Sequence, residues 1–152
     1  MANMCSVEFR LKFSSKEASA KFAESFTKEM TEAEAKNEGV RISQNTWLFD
    51  SVMEKIGDNS ISITGWVKWG LTHEAIREFV ESLKKQGLES LECLYEETGN
   101  MIYGKYEYHN GELWDIYVPE NHSVWENAYE DDSFYDQLDN ALEEDGLMDM
   151  VA

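Results

Sequence analysis

Residues Ser60–Tyr108, SISITGWVKWGLTHEAIREFVESLKKQGLESLECLYEETGNMIYGKYEY, decide the fold. Ile61, Ile63, Gly65, Val67 and Trp69 alternate with Ser62, Thr64, Trp66 and Lys68. Successive side chains of a strand point to opposite faces, so this period of two predicts a strand with one packed and one open face. Thr72 then stands as an N-cap, its hydroxyl placed to accept from a free amide of the first helical turn. Ile76, Phe79, Val80 and Leu83 follow at helical spacing, Lys84 and Lys85 complement the dipole in the last turn, and Gly87 stops the helix. Strands are expected at Leu88–Tyr95 and Met101–Tyr108, divided by a turn at Glu96–Asn100. The stretch reads strand, helix, strand, strand.

Toward the N-terminus, Val7, Phe9, Leu11 and Phe13 alternate with Ser6, Glu8, Arg10 and Lys12, which predicts a half-buried first strand. Ser14 with Glu17 three residues on has the form of a capping box. Ala18, Phe22, Phe26, Met30 and Ala33 then recur as one helical stripe, whose end is expected at Gly39. Val40–Ile42 predicts a short strand. TWLFDSVMEKI, residues 46–56, reads either as a strand or, because Leu48, Val52 and Ile56 fall four apart, as a helix. In the other direction Asn110-Gly111 is a strong hairpin signal leading into Leu113–Val118, and Pro119, with no amide to donate, closes the ladder. This order predicts an α+β fold over residues 1–119. It is expected to be a ferredoxin-like split β-α-β sandwich with an extra C-terminal hairpin, both helices covering one sheet face. The opposite face is expected to carry Arg10, Lys12, Trp66 and Lys68.

The charge is the outlier of the composition. Of 152 residues 31 are acidic and 13 basic, a formal charge of −18. Residues 1–105 hold 17 acids and all 13 bases, whereas residues 106–152 hold 14 acids and no Lys or Arg. Nucleic acid and anionic membrane share the sign of this surface, so neither is expected as a direct partner, and a basic protein is its natural complement.

Residues 120–152 are expected to form an acidic, aromatic, helical C-terminal segment packed on the domain. Ser133 with Asp136 begins a helix, Tyr135, Leu138, Ala141 and Leu142 form its stripe, and Gly146 ends it. A disordered acidic tail is poor in aromatics, and this segment carries Trp125, Tyr129, Phe134 and Tyr135.

The run GWVKWGLTHEAIREFVESLKKQGLESLECLYEETGNMIYGKYEYHNGEL resembles the YubB-type ferredoxin-like domain of plasmid and phage proteins. The shared features are a Trp-containing strand, an amphipathic helix, Tyr95-Glu96, Gly99, Gly104 and the Asn110-Gly111 turn, within about residues 60–115. Where that family has proline after the tryptophan strand, this chain has Trp69-Gly70-Leu71. The resemblance implies an α+β fold and a mobile-element setting, and it brings no catalytic residues.

No catalytic or cofactor motif is expected to operate. The chain has no G-x-S-x-G, H-E-x-x-H, paired C-x-x-C or phosphate-cradling glycine loop. His73, His109 and His122 are read as surface or capping residues, and Cys5 and Cys93 as buried thiols of a reducing compartment. Glu130-Asp131-Asp132 through Asp139 lacks the register of a calcium loop, so no metal is expected. The first residues, MANMCSVEFRLKF, contain no apolar core of a signal peptide, and the expected setting is the cytoplasm of a bacterial host.

The expected function is therefore binding. Acids at i, i+3 and i+4 on a helix stand about 5–6 Å apart, comparable with phosphates along a DNA strand. Glu126, Glu130, Asp131, Asp132, Asp136, Asp139, Glu143 and Glu144, with Trp125 and Tyr129 as anchors, are the candidate partner-binding residues. The leading expectation is an anti-CRISPR or anti-restriction inhibitor that acts by DNA mimicry on a basic nucleic-acid-handling complex. An alternative is an immunity protein that neutralises a basic toxin nuclease. A third reading, in a different class, has the sheet face bind nucleic acid through Trp66 with Arg10, Lys12 and Lys68.

Overall fold

The computed structural model describes residues 3–127 and 132–152. β1 (Met4–Phe13) is followed by α1 (Lys16–Ala35), β2 (Val40–Ser43), β3 (Thr46–Gly57), β4 (Ser60–Lys68) and α2 (His73–Lys84). Then come β5 (Leu88–Glu97), β6 (Ile102–His109), β7 (Glu112–Tyr117), α3 (Phe134–Asp145) and β8 (Leu147–Met150). The strands form one antiparallel open sheet in the order β2-β3-β4-β1-β5-β6-β7-β8. The fold is thus α+β, and β1 lies at mid-sheet between β4 and β5.

The alternation in β1 sets the main core. Cys5, Val7, Phe9, Leu11 and Phe13 are all buried on one face, where Phe22 and Phe26 of α1 and Ile76, Phe79, Val80 and Leu83 of α2 pack on them. Phe9 meets Phe79 edge-on, with ring centroids 5.2 Å apart, and Phe13 meets Phe22 at 5.1 Å. Both helices therefore lie on one face, as the stripes predict. Thr72 caps α2 by accepting from the Ala75 amide at 3.1 Å. Residues 46–56 are strand: the β2–β3 and β4 ladders claim their backbone, and a bulge at Asp50, in the left-handed region at φ 53°, breaks the register between Phe49 and Val52.

Four local expectations are corrected. Ser15, not Ser14, caps α1, because its hydroxyl reaches the Ala18 amide at 3.1 Å. The helix ends at Ala35, short of the stop expected at Gly39, and Asn37 after it takes a left-handed conformation at φ 55°. Gly39 is instead required by close packing, since a Cβ there would meet the Trp47 Cβ at 2.9 Å. Trp69 does not continue the buried face of β4: it turns out at φ 64° and is 70% exposed. Residues 147–150, beyond the helix end expected at Gly146 and assigned no element, pair with β7 as β8, and Val151 beyond them is buried in the main core.

α3 lies on the other face of the sheet. Tyr106, Tyr108 and Leu113 belong to the main core, while Tyr103 and Ile116, of opposite parity, pack with Phe134, Leu138, Ala141 and Leu142 of α3. The helix covers the β6–β7 end only. Over β3, β4, β1 and β5 the same face is open, with Arg10, Lys12, Trp66 and Lys68 exposed on it as expected.

Candidate protein-binding surface

The placement of α3 follows from which of its residues are apolar. Phe134, Leu138, Ala141 and Leu142 fall at i, i+4, i+7 and i+8 and are buried against Val118, Val124 and Trp125. Tyr135, expected on that stripe, is 50% exposed, and Phe134 takes its place. Trp125, expected as a partner anchor, is only 7% exposed and its indole Nε1 donates to the Pro119 carbonyl at 3.0 Å. It anchors the segment to its own domain and has little surface left for a partner. Tyr129, Glu130 and Asp131 lie outside the described residues. Glu126, Asp132, Asp136, Asp139, Glu143 and Glu144 are all exposed.

The acids of α3 are placed against helix electrostatics. Asp136 in the first turn faces the positive end of the dipole, but Glu143, Glu144 and Asp145 crowd the last turn, which holds no basic residue of its own. Lys105 on β6, its pKa raised by its hydrogen bond to Glu107 and further by Glu143, offsets part of that charge. Carboxylates at that end cost about 0.3–1 kcal/mol each. Asp145 is met by His122 Nε2 at 2.9 Å, an exposed pair. Asp139 accepts a short hydrogen bond from the Tyr103 hydroxyl, which ties the helix to β6; burial, together with that carboxylate, raises the phenol's pKa.

Beside α3 the open face carries a second group of residues, of which sequence reading assigned only Trp66 to a site. The cross-strand register aligns Phe49, Trp66, Ser6, Glu96 and Tyr103 in one row over β3, β4, β1, β5 and β6. Thr64, Glu8 and Leu94 form part of the next row. Between these rows and the first turn of α3 lies a groove of about 410 Å³. The alternation Glu92, Leu94, Glu96 in β5 places these residues on the open face. Tyr103 and Tyr135 reach the groove only through the β5–β6 register and the return of α3, so no local sequence pattern marks them. At the far side of the face, Lys68 Nζ lies 4.8 Å from the Phe49 ring centroid and the Arg41 guanidinium 5.6 Å from the Trp47 ring.

The remaining chemistry-bearing groups lie beneath α2. Asp115 is buried and accepts from the Tyr95 hydroxyl at 2.5 Å and from His73 Nε2 at 2.9 Å. Burial pushes the Cys5 thiol up to about 11 and raises the Cys93 thiol well above its usual value, so neither is held as a thiolate nucleophile. Among the described residues no three His, Cys, Asp or Glu side chains converge to hold a metal ion, and no helix is long and apolar enough to cross a membrane.

Fold and surface together define an α+β protein with an acidic helix laid on part of an open sheet face. No protein-family model, curated protein or solved structure matches this chain.

Proposed function

We propose that this chain is a non-enzymatic acidic binding protein that engages a basic, nucleic-acid-handling protein by DNA mimicry, as an anti-CRISPR or anti-restriction inhibitor does. The observation that carries this reading is the last turn of α3. Glu143, Glu144 and Asp145 stand where the dipole opposes them, and the helix's own last turn holds no basic residue to offset them, so helix electrostatics do not account for their presence. With Asp136 two turns and Asp139 one turn earlier, Glu143 completes a row of negative charge at about 5–6 Å intervals. The covered stripe beneath them holds that array in place. A ligand with an Arg- and Lys-lined channel is the complement, and the encounter is steered and strongly salt dependent.

The fold supports a finer reading too. β1, α1, β3, β4, α2 and β5, with strands side by side as β3-β4-β1-β5, have the chain order and sheet order of a ferredoxin-like unit. We read β6, β7, α3 and β8 as its extension, of the kind the YubB-type resemblance implies, in a bacterial mobile-element setting.

The test is affinity capture from lysates of bacteria carrying CRISPR and restriction systems, using the whole chain as bait. Retention of a nucleic-acid-binding effector at low salt, its release at high salt and its displacement by duplex DNA are expected. Capture that survives high salt and ignores added DNA overturns the mimicry reading. Capture of a single basic nuclease whose toxicity the chain relieves would place it instead among immunity proteins.

A further inference from the structure

We propose that the groove between the first turn of α3 and the open sheet face is a receptor for an arginine side chain of the partner protein, with the Glu96 carboxylate as its acceptor. The proposal rests on the acidic-surface reading above and gives it a specific point of contact.

The register of the sheet shapes the groove. In the row Trp66, Ser6, Glu96, Tyr103, the small serine lies between a tryptophan 43% exposed on one side and a carboxylate on the other. Strands lie about 4.8 Å apart, so Trp66 and Glu96, two strands apart, are separated by roughly 10 Å. That gap admits an extended side chain. Leu94 and Thr64 line the floor in the next row, and Tyr135 of α3 stands at the wall and donates from its hydroxyl to Glu96.

The electrostatics are those of a site waiting for a cation. Glu96 is half-buried, yet among the described residues no Lys, Arg or His pairs with it. Glu8, at the other side of the groove, has its nearest cation in Arg10 at 3.6 Å. Burial raises the Glu96 pKa, the Tyr135 hydrogen bond offsets part of that, and Asp139 adds to the rise. A positive charge delivered into the groove relieves this unfavourable burial.

Arginine fits better than lysine. Its planar guanidinium binds a carboxylate through two parallel hydrogen bonds and stacks on aromatic rings, which Tyr103 and Tyr135 bring to the groove. Its methylene stem has Leu94 to lie on. An ammonium group uses only the charge.

The test is titration of the isotopically labelled whole chain with the blocked peptide acetyl-Gly-Arg-Gly-amide, followed by amide NMR shifts. Peptides with citrulline or lysine in place of arginine serve as controls. The arginine peptide is expected to shift Ser6, Glu96, Tyr103 and Tyr135 saturably. The citrulline peptide, with the same shape and no charge, should shift them at least tenfold less at equal concentration. Glu96→Gln should weaken arginine binding about tenfold without altering the rest of the spectrum, and Tyr135→Ala should narrow the preference for arginine over lysine. Equal shifts from arginine and citrulline overturn the proposal, as does arginine binding unchanged in Glu96→Gln. Shifts confined to Asp136, Glu143 and Glu144 also overturn it, while leaving the acidic-surface reading intact, since capture of a basic partner tests that reading separately.

Discussion

His73 Nε2 meets Oδ2 of Asp115 at 2.9 Å, joining the first turn of α2 to β7 across 42 positions of chain. The other carboxylate oxygen accepts from Tyr95 on β5, so one buried acid links a helix and two non-adjacent strands. A buried carboxylate is tolerated when its lone pairs are satisfied, and removing it strands its donors. Asp115→Ala is expected to destabilise the protein by about 3 kcal/mol, read as a lower urea midpoint at unchanged slope. His73→Ala, whose side chain is 45% exposed, should cost under about 1 kcal/mol. Equal losses from the two would mean that the acid is not the hub.

Gly104 on β6 guards the same network. A Cβ there would meet the Tyr95 ring at Cζ, 2.6 Å away, and the Ile116 carbonyl oxygen at 2.7 Å, and it would collide with the Tyr95 hydroxyl itself. Gly104→Ala must push Tyr95 off Asp115, and overpacking of this kind costs about 1–3 kcal/mol. Tyr95→Phe removes the colliding hydroxyl and the hydrogen bond together. The double variant should therefore be more stable than the sum of the two single losses requires, and a double-mutant cycle in urea measures the difference. Strict additivity would show that the methyl is accommodated elsewhere.

What sequence reading captured and missed follows from how local each signal is. The alternation Val7, Phe9, Leu11, Phe13 and the stripe Ile76, Phe79, Val80, Leu83 record burial on one face, and both faces are where they were expected. Ser14 and Ser15 are both competent caps, and only the chain's path chooses between them. Trp69 keeps the period of β4, but the backbone has already left the strand. β8 is four residues long and exposed along its length, so it has no alternation to read and exists because β7 offers an edge. The acids of α3 were legible for the same reason as its stripe. The groove was not, since Ser6, Glu96, Tyr103 and Tyr135 are neighbours only through strand register and a helix that returns from the end of the chain.

The last residues are structural by this account. β8 pairs with β7, Val151 is buried in the main core, and the Arg77 guanidinium donates to the Val151 carbonyl at 3.3 Å. Burying a valine alone contributes about 1.5–3 kcal/mol. A chain ending at residue 146 is expected to lose at least that much stability and to expose Trp114 and Ile116 at a new sheet edge. Thermal unfolding compared with the full chain checks this, and an unchanged midpoint would show that β8 contributes nothing to the fold.

Charge reversal at the end of α3 separates stability from binding. Glu143→Lys with Glu144→Lys places cations at the negative end of the helix dipole, a change favourable by about 0.3–1 kcal/mol per site. Glu144→Lys gains this in full, while Glu143→Lys also gives up the attraction of Lys105, so the double variant should unfold close to the parent's temperature and yet lose the capture of a basic partner. Retained capture would mean that the array on α3 is a solvated surface and that partners bind elsewhere.

Glu96 gives the same opposition a pH signature. Burial raises its pKa above the ordinary glutamate value of 4.5, so between the two values the folded chain holds the proton more firmly than the unfolded one. Stability then falls as pH rises through that window, and the cost stands in full above the raised value. Glu96→Gln removes the charge and keeps most of the shape, so it should raise the unfolding midpoint at pH 7. The gain should shrink as pH drops and vanish below 4.5, where the carboxyl is protonated in both states. Urea midpoints of variant and parent across this range make the comparison. A variant less stable than the parent at pH 7 would show that Glu96 has a stabilising partner, and with that the case for an unanswered charge in the groove would fall.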